Sequence, residues 1–153
     1  MRSEDVIKSI RYILDISDAE IANIFKLGGY QPSRSEITAI FDEEDGEKSD
    51  LSHKAMAHFL DGLIYYKRGK SDKHPPRPIS VPVSNNTVLK KLRVAFKLRE
   101  EEIQKTLQMA GFSMSSSELN ALFRKKNHRN YKPCGDQVLR YFLKGLAMKF
   151  RKN

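Results

Sequence analysis

The pattern of apolar and polar positions in the first half of the chain predicts four amphipathic helices. Apolar residues recur three and four positions apart, which places them on one face of a helix. The four blocks that show this spacing are 6–14, 21–25, 37–41 and 56–64. No stretch of alternating apolar and polar residues long enough for a sheet lies between them, so the pattern favours an all-α fold.

Small polar residues and glycines mark where these helices should begin and end. A serine side chain can accept a hydrogen bond from the free N–H groups of a helix start, and each block follows one: Ser3, Ser17, Ser33 and Ser52. A glutamate follows three positions after Ser17 and Ser33, which is the spacing of a capping box. Gly28-Gly29 should end the second helix, because glycine tolerates left-handed backbone.

Residues 69–86 contain four prolines, which forbid a continuous helix and favour extended backbone. This segment is predicted to be a linker. Its residues Ile79, Val81 and Val83 alternate along the chain. We therefore expect them to lie against a hydrophobic groove and to hold the linker as an ordered strap.

The second half of the chain repeats the first. A shift of 82 positions aligns 6–41 with 88–123 without a gap, and a shift of 83 then aligns 59–63 with 142–146. The matched positions are mainly apolar faces, caps and glycines. The sequence thus predicts two pseudo-equivalent four-helix repeats, 1–68 and 87–153, that pack on each other because about 65 residues alone form a marginal core.

Several strings of the second copy resemble a known family. They are LKKLRVAF, SELNALFRK and NYKPCGDQVLRYFLKGL, with the pair NN just before them. In this order they resemble the YehS-like family of small bacterial proteins, built from two copies of a domain of unknown function. The resemblance implies the duplicated architecture and a bacterial cytosolic setting, and it implies no activity, catalytic residue or cofactor. The first copy departs from it, with SDLSHKAM in place of KPCGDQVL.

Composition excludes several classes of protein. No apolar run approaches the roughly 20 residues that cross a bilayer, and the first residues include acidic side chains, so we expect a cytoplasmic protein without membrane contact. Cys134 is the single cysteine, which excludes an intramolecular disulfide and a cysteine zinc cluster. None of the four histidines lies in a metal-binding motif. We expect neither a metal nor a cofactor.

Charge is distributed unevenly between the two halves. Residues 1–74 contain 11 Lys and Arg against 14 Asp and Glu, and residues 75–153 contain 17 against 5, so the net charges are −3 and +12. A basic half of this kind indicates a polyanion, an anionic surface or an acidic protein as partner.

The two copies diverge most sharply after the matched strings SRSEITAIF and SSSELNALF. The first continues into an acidic segment, 42–47, and the second into a basic one. Lysine and arginine interleaved with an aromatic side chain can neutralise phosphates and stack on bases, which predicts a nucleic-acid site of the following residues: Arg124, Lys125, Lys126, His128, Arg129, Tyr131 and Lys132, widened by Lys90, Lys91 and Arg93. A solvated surface loop with Tyr131 as an anchor is the alternative, and Arg93 equally suits a structural arginine bonded to helix-end carbonyls.

Residues 18–41 also have the outline of a helix-turn-helix. The second helix of that motif reads bases with its early side chains. Those positions are Arg34, Ser35 and Thr38 in the first copy and Ser116, Ser117 and Asn120 in the second. The connection at 28–33 is longer than in most such motifs, so ordinary helix packing is the competing interpretation.

The sequence predicts no enzyme. Glu36 and Glu118 occupy capping positions, and Cys134 is the one candidate nucleophile, placed where a helix start would lower its pKa. Asp136 is a natural N-cap and a lone thiol is usually buried. The preferred function is therefore non-enzymatic nucleic-acid binding through the second repeat. The alternative is an interaction module or homodimer in which the acidic segment of one molecule meets the basic segment of another.

Overall fold

The computed structural model describes residues 1–42, 51–69 and 78–151 of the chain. These residues form eight α-helices and no strand, which confirms the predicted all-α fold. The helices are α1 Ser3–Leu14, α2 Asp18–Leu27, α3 Arg34–Phe41, α4 His53–Arg68, α5 Asn85–Ala95, α6 Glu100–Met109, α7 Ser116–Phe123 and α8 Asp136–Phe150. None of them is long and apolar enough to span a membrane.

The predicted serine caps form except at the first helix, but the capping box predicted at Ser17 does not, because Glu20 accepts the Tyr66 hydroxyl instead. Ser33 and Ser115 both form full capping boxes with the glutamate three residues later. The Ser3 cap was wrong, because Ser3 is already the first helical residue and Arg2 precedes the helix without a side-chain cap. The carbonyl of Arg2 accepts the first helical hydrogen bonds, from Asp5 and Val6 at 3.1 and 3.2 Å, which fixes the helix start one residue earlier.

The two repeats exchange their first helices. Helix α1 packs chiefly on α8 of the second repeat, and α5 packs on α4 of the first. Within each repeat, α2 packs on α4 and α6 on α8, while the short α3 lies against α1 and the short α7 against both α5 and α6. The sequence predicted that the repeats pack together, but it did not predict this exchange. Each half completes its core with a helix from the other.

One continuous hydrophobic core joins both repeats. Its largest fully buried side chains include Phe25, Phe59 and Phe142 on α2, α4 and α8. A fully buried side chain of this size contributes about 1.5–3 kcal/mol relative to an exposed one. Because the core residues come from both halves, the fold depends on the exchange of α1 and α5.

Hydrogen bonds at the two exchanged junctions correspond atom by atom. Arg151 donates to the carbonyl of Tyr12 at 2.6 Å, and Arg68 donates to that of Val94, the residue 82 positions after Tyr12, at 3.5 Å. At the other ends of the helices, the Met1 amine bonds the Asp136 carboxylate, and the Val83 N–H donates to His53. Helices α1 and α8 therefore run parallel, as do α5 and α4.

The linker prediction can be judged only at its described end, since residues 70–77 lie outside the described part of the chain. Ile79 is half-buried, and Val83 packs on the core. Val81 is 54% exposed, so the prediction that it enters a groove was wrong. Over the described residues 78–84, only Val83 packs on the core, and its N–H is fixed there by donating to His53.

Candidate nucleic-acid interface

The connection between α7 and α8, residues 124–132, is here called the basic loop. Arg124 ends α7 in an extended conformation. Two tight turns follow, in which His128 N–H donates to Lys125 at 2.8 Å and Tyr131 N–H donates to His128 at 3.0 Å. Lys132 N–H then returns to the carbonyl of Ala121 at 3.0 Å. The basic loop is thus a compact structure closed onto the end of α7.

A single side chain holds both ends of this loop. The Asn86 amide donates to the carbonyls of Leu122 and Lys132 at 3.0 and 2.9 Å, and its oxygen accepts the N–H of Cys134 at 2.9 Å. Its neighbour Asn85 donates to the Cys134 carbonyl at 3.0 Å. The sequence string NN and the string around Cys134, which carry the family resemblance, therefore form one structural unit.

The basic loop and the exposed face of α7 together line two adjoining concave surfaces. The larger has a volume of about 640 Å³ and is lined by Asn120, Phe123, Arg124, Lys125, Asn127 and His128. The second, of about 530 Å³, is lined by Ser117, Asn120, Ala121, Arg124 and Asn130. Asn120 and Arg124 belong to both, so the two form one surface, which we call the α7 face.

The α7 face offers positive charge without internal neutralisation. Arg124 and Lys125 line the face, and Lys126 and Arg129 are exposed elsewhere on the same loop. Among the residues that the structure describes, no carboxylate lies within ion-pair distance of them. The pKa of Glu118 is lowered, chiefly by the N–H of Ser115 and to a smaller degree by Lys132. That carboxylate already belongs to the capping box.

Neutral polar groups complete the face. His128 Nδ1 accepts the N–H of Asn130 at 3.0 Å, so in the neutral ring Nε2 carries the proton and is a donor. The amides of Asn120 and Asn127 each add donors and an acceptor. Charged groups suited to phosphates thus lie beside groups suited to base edges. Asn127 and Asn130 were missed from the sequence, although their amides are interleaved with the loop's cations.

The three candidate cations on α5 differ from those of the loop. Lys91 pairs with Asp61 of α4 at 2.7 Å. The Arg93 guanidinium lies 4.8 Å from the ring centroid of Phe123 and donates to the carbonyl of Leu98 at 3.3 Å, as expected of a structural arginine. Lys90 is exposed. Tyr131 is half-buried at the end of the loop, and its stacking on a base stays a prediction.

The helix-turn-helix candidates are exposed in both repeats, but only one set adjoins the loop. Ser117 and Asn120 of α7 line the face with Arg124. In the first repeat, residues 43–50, which would follow α3, lie outside the described part of the chain, and α3 packs mainly on α1. In sequence, the segment that follows α3 is acidic at 42–47, where the second copy has the basic loop.

Cys134 lies behind this surface, and two predictions about it need correction. The thiol is buried, and burial raises its pKa to about 11, with a further contribution from Asp136. The expectation that a helix start would lower this pKa was wrong, because desolvation outweighs the helix dipole. Asp136 is not the N-cap of α8. Gly135 is, and the Asp136 carboxylate instead accepts bonds from the Met1 amine and Asn85 at 2.5 and 2.7 Å.

The described histidines of the first repeat have hydrogen-bond partners within the molecule. His58 contacts the Gly28 carbonyl at 2.7 Å, and His53 accepts the N–H of Val83. Over residues 1–42, 51–69 and 78–151, no three His, Cys, Asp or Glu side chains are grouped in a way that could hold a metal ion.

Comparisons with known proteins support the duplication. The profile of the family described as protein of unknown function DUF1456 matches residues 4–69 and again residues 85–152. The uncharacterised protein YehS of Escherichia coli (strain K12) is 39% identical over 148 residues, which cover 96% of this chain and 95% of that protein. No solved structure matches the chain.

Proposed function

Since the chain belongs to the DUF1456 family, whose description names no activity, we propose a function from its own surface: it binds nucleic acid through the α7 face. The observation that carries the proposal is the position of the basic loop. Two of its exposed cations, Arg124 and Lys125, line one concave surface together with Ser117 and Asn120 of α7.

Arginine and lysine on this face neutralise phosphates, and the affinity they supply falls as salt rises, because the release of counterions then contributes less. The amides and His128 lie within the same concavity and suit the edges of unpaired bases. We assign the phosphate contacts to Arg124, Lys125, Lys126 and Arg129. Lys91 and Arg93 are given no contact in this proposal, because their charged groups already have partners inside the molecule.

Fluorescence anisotropy with labelled single-stranded DNA and RNA tests the proposal. Replacing Arg124, Lys125, Lys126 and Arg129 by alanine should weaken binding at least tenfold. The slope of log affinity against log salt should fall by roughly 0.7 for each phosphate that is no longer neutralised. The matched control replaces Lys26, Lys54 and Lys105 by alanine and Lys97, whose backbone is left-handed, by asparagine. All four are exposed, and their replacement removes the same four charges. Equal losses of affinity in both variants would show that binding depends on net charge alone, and would refute the site.

The proposed role is non-enzymatic. The burial of Cys134 and its raised pKa leave this thiol protonated at neutral pH, which does not suit a nucleophile. A thiol reagent at pH 7.5 should modify Cys134 at least 100-fold more slowly than it modifies a free cysteine, and denaturant should restore the rate. Rapid modification of the folded protein would instead favour an enzymatic site.

The self-association alternative depends on a segment that lies mostly outside the described residues. Of the acidic stretch 42–47, only Asp42 is described, and it is exposed. Sedimentation without nucleic acid, at low and high salt, separates the two functions. Salt-sensitive dimers that disappear in the four-alanine loop variant would favour association between acidic and basic segments.

A further inference from the structure

A second cationic surface lies at the exchanged junction between the parallel helices α1 and α8. It is a groove of about 740 Å³, here called the α1/α8 groove. Its floor is aliphatic and includes Ile13, Leu143 and Ala147. Tyr12 and Met148 border it with 52% and 53% of their surfaces exposed, and they are among the largest exposed apolar side chains of the described chain.

Four cations surround this apolar floor: Lys8, Arg140, Lys144 and Arg151. No carboxylate is among the described residues that line it, but two charges have partners beside it: Arg151 pairs with Asp15 at 3.5 Å, and the Met1 amine, which also lines the groove, pairs with Asp136. Arg140 and Lys144 are four residues apart on α8, where like charges face each other and slightly destabilise a helix. Arg140 also lies one turn from Asp136, whose pKa is lowered chiefly by the Met1 amine and slightly by Arg140.

The other exchanged junction keeps two of these cations, with Lys90 and Arg68 in the places of Lys8 and Arg151, but it lacks the other two. Arg140 and Lys144 correspond to Ala57 and Asp61 on α4, and Ser9 corresponds to Lys91 on α5. There, Lys91 and Asp61 form an ion pair of 2.7 Å across the two helices. At the α1/α8 groove the aspartate is a lysine and the bridging lysine is a serine, so this internal pair cannot form.

We propose that the α1/α8 groove binds an acidic amphipathic helix of a partner protein. Such a helix would place its apolar face on the aliphatic floor and its carboxylates between the rows of cations. Helix α1 provides about 18 Å of groove, or roughly three turns. Methionines such as Met148 adapt to varied apolar side chains.

The chemistry of the groove favours a peptide over nucleic acid. The one aromatic ring that borders it, Tyr12, has a face covered by the Arg151 guanidinium, 3.9 Å from the ring centroid. Aliphatic side chains form the rest of the floor and give bases no surface for stacking. This inference is independent of the α7 face, since the two surfaces share no lining residue.

Nuclear magnetic resonance of the ¹⁵N-labelled full chain tests the proposal with a synthetic 18-residue peptide. Its leucines recur at helical spacing and glutamates fill the remaining positions. Amide shifts should concentrate at 8–13 and 140–148, and binding should weaken at least tenfold at high salt. A peptide of the same composition with its leucines dispersed around the helix should bind at least tenfold more weakly.

The sharpest variant converts the groove into its counterpart with three substitutions: Ser9→Lys, Arg140→Ala and Lys144→Asp. Because the α4/α5 junction folds with these residues, the variant should fold, and it should lose at least tenfold in peptide affinity. Lys26→Ala with Lys105→Ala removes the same two charges elsewhere and should change affinity less than twofold. Arg140→Gln with Lys144→Gln provides the same test if the triple variant is unstable.

Three results would overturn the proposal. They are equal binding of the dispersed peptide, unchanged binding by the groove variants, and binding of phosphatidylglycerol vesicles or of an oligonucleotide at these residues in preference to the peptide. The four-alanine loop variant should keep its peptide affinity, so failure of this inference would leave the nucleic-acid proposal untouched.

Discussion

The first and second repeats keep the same interior contacts while their surfaces differ. Arg11 lies over Phe41 in one and Arg93 over Phe123 in the other, at 4.7 and 4.8 Å from the ring centroids. Yet Arg11 pairs with Asp18 at 3.1 Å, whereas Arg93 donates to a carbonyl. The comparison teaches that the stacked arginine belongs to the scaffold, and that its second partner is free to change.

The same backbone group is satisfied by different side chains at the start of α4 and of α8. Glu4 accepts the N–H of Leu51 at 3.1 Å, and Asn86, its counterpart, accepts that of Cys134 at 2.9 Å. A carboxylate can only accept, but an amide also donates. Asn86 uses that difference to hold both ends of the basic loop, so the divergent surface is supported by a divergent interior residue.

The largest expected effect concerns a feature that both repeats share, the glycine inside α4 and α8. A Cβ at Gly62 would fall on the carbonyl of Ile24, and one at Gly145 on that of Thr106. Alanine normally stabilises a helix interior relative to glycine. Here Gly62→Ala and Gly145→Ala should each cost about 3 kcal/mol or more, because backbone must move. Urea unfolding measures this.

The control is Gly135→Ala, where a Cβ meets nothing within 4 Å, and its cost should stay within about 1 kcal/mol. The repeats also differ at the residue that follows α2 and α6. A Cβ at Gly28 would fall on the carbonyl of His58 in α4, whereas the corresponding residue of the second repeat is Ala110. Gly28→Ala should therefore be severe. If Gly62→Ala or Gly145→Ala stabilised the protein, the close helix crossings would be contradicted.

The next largest effect is expected at Asn86, which donates hydrogen bonds that its counterpart Glu4 cannot form. Asn86→Ala leaves the carbonyls of Leu122 and Lys132 and the N–H of Cys134 without partners, which should cost about 3 kcal/mol. Asn86→Asp keeps the acceptor and loses both donors, so it should release the loop at a smaller cost. Thermal unfolding and amide exchange of the loop measure both.

Asn127→Ala is the matched control, because this side chain is exposed within the same loop and should change stability by less than about 0.5 kcal/mol. A loop that stays equally protected from exchange in Asn86→Ala would show that this clamp does not hold it.

A smaller effect is expected at the stacked arginines. Arg11→Ala and Arg93→Ala should each lower stability by about 1 kcal/mol, because each removes the stacking on a ring together with an ion pair or hydrogen bond. Arg93→Ala should change nucleic-acid affinity less than twofold. A tenfold loss of affinity with unchanged stability would instead show that Arg93 contacts nucleic acid.

The smallest effect concerns acid sensitivity. Backbone N–H groups of Ser33 and Ser115 lower the pKa of Glu36 and Glu118, and the Tyr30 hydroxyl adds to the effect at Glu36 alone. A lowered pKa contributes stability above the ordinary value of about 4.5 and loses it as the pH falls through the folded value. Stability should thus decline below pH 5, and Glu36→Gln should flatten this decline more than Glu118→Gln.

Phe112 is the counterpart of Tyr30, so Tyr30→Phe makes the first repeat resemble the second. In unfolding curves between pH 3 and 6, the effect of Glu36→Gln should then fall to that of Glu118→Gln or slightly below it, because Lys132 also lowers the pKa of Glu118. If Glu36→Gln still had the larger effect in the Tyr30→Phe background, the Tyr30 hydroxyl would not be the cause of the difference.

The sequence predicted what depends on local pattern. Helical spacing identified the eight helices of the described residues, and the boxes at Ser33 and Ser115 follow from short-range hydrogen bonds. The exchange of α1 and α5 could not be predicted, because the apolar face of a helix does not specify which neighbour covers it. The pKa of Cys134 was likewise misjudged, since burial by distant residues outweighed its local position.

The candidate site was predicted only in part, because the sequence shows which residues are charged but not which residues they contact. Charge in the basic loop is visible in the sequence, whereas the partners of Lys91 and Arg93 come from α4, α7 and the residues just after α5. The groove between α1 and α8 was missed altogether, because Lys8 and Lys144 are brought together only by the exchange.

The most direct test of the account maps a 12-nucleotide single strand onto the ¹⁵N-labelled full chain. We predict amide shifts confined to α7 and the basic loop, residues 117–132, that diminish as salt is raised. Shifts of equal size at residues 34–38 of α3, or shifts scattered over both repeats, would contradict the claim that the second repeat alone carries the nucleic-acid surface.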